Sequence, residues 1–338
     1  MANKVKFSIS LPVYNSAKYL KRCLDSIYSQ DYPAELIEVI AVDGGSTDNS
    51  ISILKEYPVK ILDNPLRLGE YGMKIAVENA SGDLLVLFAA DNGLPGTDWF
   101  KKVASVFIEN QSLSCVWGKM IASEDDPAIM RYYELIQSEP LAYFLNKNLD
   151  GYLKGAEIVN SAGLNYSIFK VSPLRPLCWG ANGIIYKLSD VRHLFMGDKY
   201  IGDNEIFQYM VESGSNMVAY SKNLNIYHHT VGSVKQWVGK WKRNYTQIFL
   251  KTRNERRIDW FYCGNFRLKM LAWIFYSLVP VFSGVHAAYM SIRDKNIYWA
   301  YHPLMCFLQT CTYLFWTIVL REGRKSLIEH LYFRKAKL

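Results

Sequence analysis

The chain places chemistry where apolar runs stop on polar side chains. Leu84-Leu85-Val86-Leu87-Phe88-Ala89-Ala90-Asp91-Asn92 runs apolar without interruption and ends on a carboxylate followed by a carboxamide. Two hard oxygen donors there suit Mg²⁺ or Mn²⁺ bridging a phosphate. The other reading is that Asp91 caps the turn that Asn92-Gly93 begins. A second stop is Asp43-Gly44-Gly45-Ser46-Thr47-Asp48, after Ile37-Glu38-Val39-Ile40-Ala41-Val42. Its two glycines permit a tight turn or a close ligand approach, and the helix after it points N–H groups toward any anion held in the same place.

Positioning such groups takes strands with helices between them. Leu84–Phe88, bounded by Gly82-Asp83 and Gly93-Leu94-Pro95-Gly96, reads as a strand buried on both faces. Phe7–Leu11 is a strand by alternation. It stops at Pro12-Val13-Tyr14-Asn15-Ser16, and Leu20, Cys23, Leu24 and Ile27 then fall at helical spacing, with Asn15 or Ser16 as the N-cap. Val59–Leu62 is a short third strand, and a helix from about Glu70 to Ala80 leads to the fourth. Four strand–helix alternations in the first 110 residues predict a doubly wound, Rossmann-like α/β sheet. Its ligands then lie outside the carboxyl ends of the strands. Neither GxGxxG nor GxxxxGK[ST] is present, so nucleotide recognition must come from side chains at strand ends together with a metal.

The chain has 338 residues, half of them hydrophobic, and a formal charge of +8, enough for one large or two smaller cores. Cysteines at 23, 115, 178, 263, 306 and 311 show no zinc or disulfide spacing and read as reduced thiols. The N-terminus passes straight into a strand without an apolar leader.

Pro12-Val13-Tyr14-Asn15, Asp43 to Asp48, Ala80-Ser81-Gly82-Asp83 and Ala90-Asp91-Asn92 occur in the order and spacing of the family 2 glycosyltransferases. The chain resembles that family, which implies a GT-A mixed sheet and inverting transfer from a nucleotide sugar. By this resemblance Pro12, Tyr14, Asn15 and Asp43 surround the base and ribose. Gly69 and Ala90 join the donor side, and Asp91 is the metal-binding member of a DxD-type motif, with Asn92 beside it. Ala89 stands where the family commonly has the first Asp of that motif. Trp179-Gly180-Ala181-Asn182-Gly183 is similar to the turn that approaches the donor sugar. Gly202-Asp203-Asn204-Glu205 is similar to the Glu-Asp motif, with Gly202 in place of Glu and Asp203 in place of the general base, and Glu205 follows close by. Asp203 also reads as an N-cap for the run Ile206, Phe207, Met210. His228 and His229 resemble the family's third metal ligand, a role for neutral imidazole that suits Mn²⁺.

Beyond residue 232 the composition changes. Lys235 to Lys269 holds ten basic residues against Glu255 and Asp259, with Trp237, Trp241, Tyr245, Ile248 and Phe249 near helical spacing. This reads as an amphipathic helix on an anionic membrane surface. Leu271–Ile292 and Ile297–Leu320 carry no charge and are each long enough to cross a bilayer. Trp273, Tyr298, Trp299 and Trp316 are the expected interface anchors. The hairpin, joined at Arg293-Asp294-Lys295-Asn296, is expected to be transmembrane or, because Pro280 and Pro303 interrupt it, re-entrant. It argues against nucleic acid as the partner of the basic stretch. Basic outer flanks place the catalytic domain in the cytoplasm.

The expected organisation is a nucleotide-sugar half over 1–110, an acceptor half over 111–232, a basic interface segment over 233–265, the hydrophobic hairpin over 266–322 and a basic tail over 323–338. The expected activity is metal-dependent (Mn²⁺ or Mg²⁺) transfer from a UDP-linked donor to a hydroxyl of a lipid-linked, polyprenyl-type acceptor. Two alternatives stay open: a polyprenyl-phosphate glycosyltransferase and a non-catalytic, membrane-tethered nucleotide-sugar binder. The QxxRW motif of processive synthases is absent.

Overall fold

The computed structural model describes residues 4–145, 148–161, 163–175, 177, 183–196, 201–252 and 266–332. The chain divides into two compact units, Met1–Glu124 with Asn146–Thr230, and Asp125–Leu145 with Val231–Leu338. Residues 125–145 thus group with the C-terminal helices.

In the first unit the strands are β1 Phe7–Val13, β2 Ile37–Asp43, β3 Val59–Asp63, β4 Leu84–Leu87, β5 Asn92–Gly93, β6 Cys115–Trp117, β7 Met120–Ile121, β8 Glu157–Ser161, β9 Leu164–Lys170, β10 Ile185–Lys187, β11 Met217–Tyr220 and β12 Ile226–His228. Nine of them form one sheet in the order β3-β2-β1-β4-β10-β6-β11-β9-β8, and β5-β12-β7 form another. β1, β2, β3 and β4 are mutually parallel neighbours, whereas β10 runs antiparallel between β4 and β6. The large sheet is therefore mixed. Strand order reverses between β1 and β4, the position at which an α/β sheet opens a crevice.

Apolar spacing explains the core. Leu20, Cys23, Leu24 and Ile27 are the buried residues of the helix Ala17–Tyr28, and all four residues of β4 are buried. The strand is shorter than the apolar run suggests. It ends at Leu87, where the Gly183 N–H donates to the Leu87 carbonyl and the Leu87 N–H to that of Ile184. Pro12 lies beyond the β1–β4 ladder, which stops at Ser10–Leu87, so its missing N–H leaves no gap on that side.

The second unit is helical, and its apolar helices are bent at breaks. Among the described residues no single helix is long and apolar enough to cross a membrane. Leu268–Leu278 and Pro280–Asp294 are bent from each other by 85°, and Ile297–Val319 and Arg321–Glu329 by 100°. Pro280 starts the second helix, where a ring without an N–H is tolerated. The helix Val234–Arg243 is capped by Ser233, whose Oγ accepts the Gln236 N–H. Its Trp237 and Trp241 are buried, with Trp237 against Tyr132 and Tyr133. The apolar side of the basic helix thus packs on its own unit and does not face outward. Trp273 and Trp299, expected as interface anchors, are also buried.

Candidate functional site

Two loops at the carboxyl ends of β1 and β2 are sewn together. Asn15, in the left-handed region at φ 47°, donates its N–H to Ser46 Oγ at 2.9 Å and accepts the Thr47 N–H on Oδ1 at 2.8 Å. Ser16 is the N-cap of the following helix, but without a side-chain capping bond. Asp48 from the other loop substitutes, accepting the Ala17 N–H at 3.0 Å, while its second oxygen accepts from the Ser50 N–H and hydroxyl. Hydrogen bonds led by that from Ser50 lower the Asp48 carboxyl below its ordinary range. Asp43 is buried and holds its own loop, accepting the Gly45 and Ser46 N–H groups at 2.9 and 3.0 Å and the Ser46 hydroxyl at 2.6 Å.

The glycines of this loop fit a crowded turn. A Cβ on Gly44 would lie 3.3 Å from the Tyr14 ring, and Gly45 has φ +80°. Tyr14 itself is 53% exposed. Arg67, also in the left-handed region at φ 55°, brings its guanidinium within 3.3 Å of the Cβ position of Gly45. Sequence reasoning missed this cation; the Asn64-Pro65 turn signal before it marked a loop but not its destination. Gly69 opens the helix Gly69–Glu78 with no atom within 4 Å of a built Cβ.

After β4 the chain turns through Ala90, which is buried, to Asp91. Asn92, not Asp91, closes the turn: its Oδ1 accepts the Ala89 N–H at 2.7 Å and its Nδ2 donates to the Tyr227 carbonyl at 3.3 Å. At 1% exposure that carboxamide is committed to the backbone, which corrects its reading as a metal donor. His228 pairs in register with Asn92 across β12 and β5. Its Nε2 lies 3.6 Å from Asp91 Oδ1, beyond hydrogen-bond range and near the spacing of two donors that share one ion at bonds of about 2.1 Å. His229 turns the other way, its ring stacked on Tyr19 at 5.4 Å and on Tyr227 at 6.2 Å. Its N–H donates to the Asp91 carbonyl at 2.9 Å. That backbone bond holds the Asp91 turn.

Asp91 and His228 bring a carboxylate oxygen and an imidazole nitrogen, both donor types that Mn²⁺ accepts, to 3.6 Å from each other. Among the described residues no group of three or more His, Cys, Asp or Glu side chains converges, so the ion's other positions fall to phosphate and water, as Mg²⁺ and Mn²⁺ accept. Gly183, at φ +73°, packs so closely on Ile226 that a Cβ would approach it to 2.5 Å. Trp179 and Asn182 lie outside the described residues. Gly202, not Asp203, is the N-cap of the helix Asp203–Glu212, and Asp203 is its first residue. Glu205 is fully buried.

With this geometry in view, the glycosyl transferase family 2 model matches residues 8–172. The chain carries a family 2 glycosyltransferase domain. A Methanococcus voltae protein named dolichyl N-acetyl-alpha-D-glucosaminyl phosphate 3-beta-D-2,3-diacetamido-2,3-dideoxy-beta-D-glucuronosyltransferase is 35% identical over 28% of this chain and 31% of its own length. Glycosyltransferase GlyA of Streptococcus pneumoniae is 27% identical over 70% of this chain and 32% of its own. The chain thus spans about a third of the length of these relatives. A mannosyltransferase of Pyrobaculum calidifontis, solved with GDP-Man and Mn²⁺, shares the fold at TM-score 0.54 and 14% identity, over 93% of this chain and 87% of that one.

Proposed function

We propose that the chain is a metal-dependent, inverting glycosyltransferase that moves a sugar from a UDP-linked donor to a hydroxyl of a lipid-linked acceptor at the cytoplasmic face of a membrane. The observation that carries this reading is the placement of the Asn15 and Asp43 loops and of the Asp91–His228 pair beyond the carboxyl ends of the parallel strands β1, β2 and β4. The exposed Tyr14 ring offers a face for the base, and the Arg67 guanidinium beside Gly45 a cation for ribose or phosphate oxygens. A divalent ion on Asp91 and His228 would supply positive charge to the diphosphate. The acceptor oxygen bonds the anomeric carbon as the bond to diphosphate breaks, and the acceptor proton passes to Asp203. Basic residues on both flanks of the apolar helices, among them Lys269, Arg321 and Arg324, support attachment to an anionic cytoplasmic leaflet.

Gly202 in place of the family's Glu favours a second reading, a polyprenyl-phosphate acceptor whose oxygen needs little deprotonation. One variant separates the two. With a hydroxyl acceptor, Asp203→Asn binds donor and Mn²⁺ as wild type does and transfers at least ~100-fold more slowly. Near-normal turnover in that variant would leave the phosphate reading. Thermal stabilisation by a set of nucleotide sugars with Mn²⁺ identifies the donor, and a guanosine donor would correct the base assignment.

A further inference from the structure

We infer that the helices Phe266–Leu278 and Pro280–Asp294 form a re-entrant wedge that lies in one leaflet of a bilayer and does not cross it. The inference rests on the membrane attachment proposed above but not on the activity. The polarity of the helices is inverted relative to a water-facing surface. Leu271, Phe275, Val281, Phe282, Val285 and Ile292 are 52–80% exposed, whereas Ser277 and Ser283 are fully buried. The buried hydroxyl of Ser277 accepts from Thr310 at 2.8 Å. Exposed apolar side chains over buried polar ones are what a hydrocarbon solvent selects.

Charge and bend fix how the wedge sits. From Leu271 to Ile292 there is no charged residue, while exposed Lys269 stands at one end and at the other exposed Lys295 beside Arg293, which pairs with Asp294 at 2.7 Å. Both ends therefore suit an anionic headgroup layer, and the apolar elbow around Phe275 to Phe282 lies deepest. Arms of 13 and 15 residues are each about 20 Å long. An 85° bend shared equally between them carries the elbow to a depth of about 15 Å, half of a ~30 Å hydrocarbon core. Part of the elbow's backbone is bonded internally, as a hydrocarbon setting demands: the Val279 N–H donates to the Phe275 carbonyl and the Phe282 N–H to that of Val279, each at 3.1 Å, and Pro280 has no N–H to satisfy. Arg293-Asp294-Lys295-Asn296 then returns to the side from which the chain came in, opposite to where a spanning hairpin would put it.

The test is the accessibility of that turn. The full chain with Arg293→Cys is prepared in sealed membrane vesicles whose outer face exposes the N-terminal residues to added protease, with wild type reporting the native thiols. A membrane-impermeant maleimide should label the introduced thiol to the same extent in intact and in detergent-opened vesicles. Labelling only after detergent would place the turn across the bilayer and overturn the wedge. In parallel, the purified full chain should bind phosphatidylcholine vesicles more tightly when they contain phosphatidylglycerol, and Phe282→Glu should weaken that binding at least ~10-fold. Absence of wild-type binding to either vesicle would overturn the membrane attachment and the wedge with it, while leaving the soluble transferase assay to judge the activity.

Discussion

Replacing Asn92 by Asp opposes two accounts of that residue. If Asn92 were a metal donor, a second carboxylate beside Asp91 would tighten Mn²⁺. The structure predicts the reverse sign. The Nδ2 group that donates to the Tyr227 carbonyl becomes an oxygen facing an oxygen, and a negative charge enters a position that is 1% exposed. The Ala89 N–H still satisfies the other oxygen, so the cost falls at the lower end for an uncompensated buried charge, about 3 kcal/mol. At about 2–4 °C per kcal/mol for a domain of this size, Tm should drop by ~6–12 °C. The stabilisation gained from Mn²⁺ with nucleotide should shrink as well, because the lost bond joins the Asp91 turn to the strand that presents His228. Thermal unfolding with and without Mn²⁺ and nucleotide measures both. An unchanged Tm with a larger Mn²⁺ effect would refute the reasoning.

Three further outcomes are expected. Asp91→Ala should fold normally and lose the gain in nucleotide affinity that Mn²⁺ confers on wild type, as read by titration calorimetry; an equal gain in the variant would remove Asp91 from the metal site. Gly82→Ala should cost about 2 kcal/mol, since its Cβ would lie 2.7 Å from the Lys6 carbonyl and 2.8 Å from the Ser8 nitrogen, and denaturant titration would expose an error if the variant matched wild type. Burial pushes the Glu38 carboxyl up, but hydrogen bonds from Ser8 and Ser81 and the charge of Lys6 outweigh it and leave it below its ordinary value. The stability that Glu38 contributes is therefore present above the unfolded pKa of about 4.3 and lost as pH falls through the lower folded value. Glu38→Gln should flatten that acid limb in urea midpoints taken across the acid range, and an unchanged limb would contradict the shift.

The apolar runs made β1 to β4 and the helix after β1 legible, because burial imposes periods of two and of three to four residues on a sequence. Hydrogen-bond allegiance left no such trace. Asn92 and Asp91 look interchangeable as oxygen donors until the turn is closed, and His229 is set apart from His228 by its stack on Tyr19 and by the 3.6 Å approach of His228 to Asp91. Nor could β12 be placed in the second sheet from the sequence, since its pairing with Asn92 and Gly93 is invisible to local pattern. Pro280 was visible as an interruption of the apolar segment, but the size of the bend depends on the contacts of both arms. Trp237 and Trp241 misled for a related reason: an apolar helix face specifies burial without saying whether protein or lipid covers it.

The bond between Asn92 and Tyr227 spans 135 positions of sequence, and this separation bears on how the protein becomes active as it folds. The sheet β1-β2-β3-β4 can assemble from the first ninety residues, through pairings closer in sequence than this one. The Asp91 turn waits for β12, a closure that high contact order makes slow. On the ribosome the N-terminal sheet can form long before His228 has been synthesised, so a nascent or truncated chain presents sewn β1 and β2 loops with only half of its ion-facing pair. In refolding, circular dichroism should recover ahead of the Mn²⁺-dependent part of nucleotide binding, and the delay is the time taken by a distant three-residue strand to find its partner.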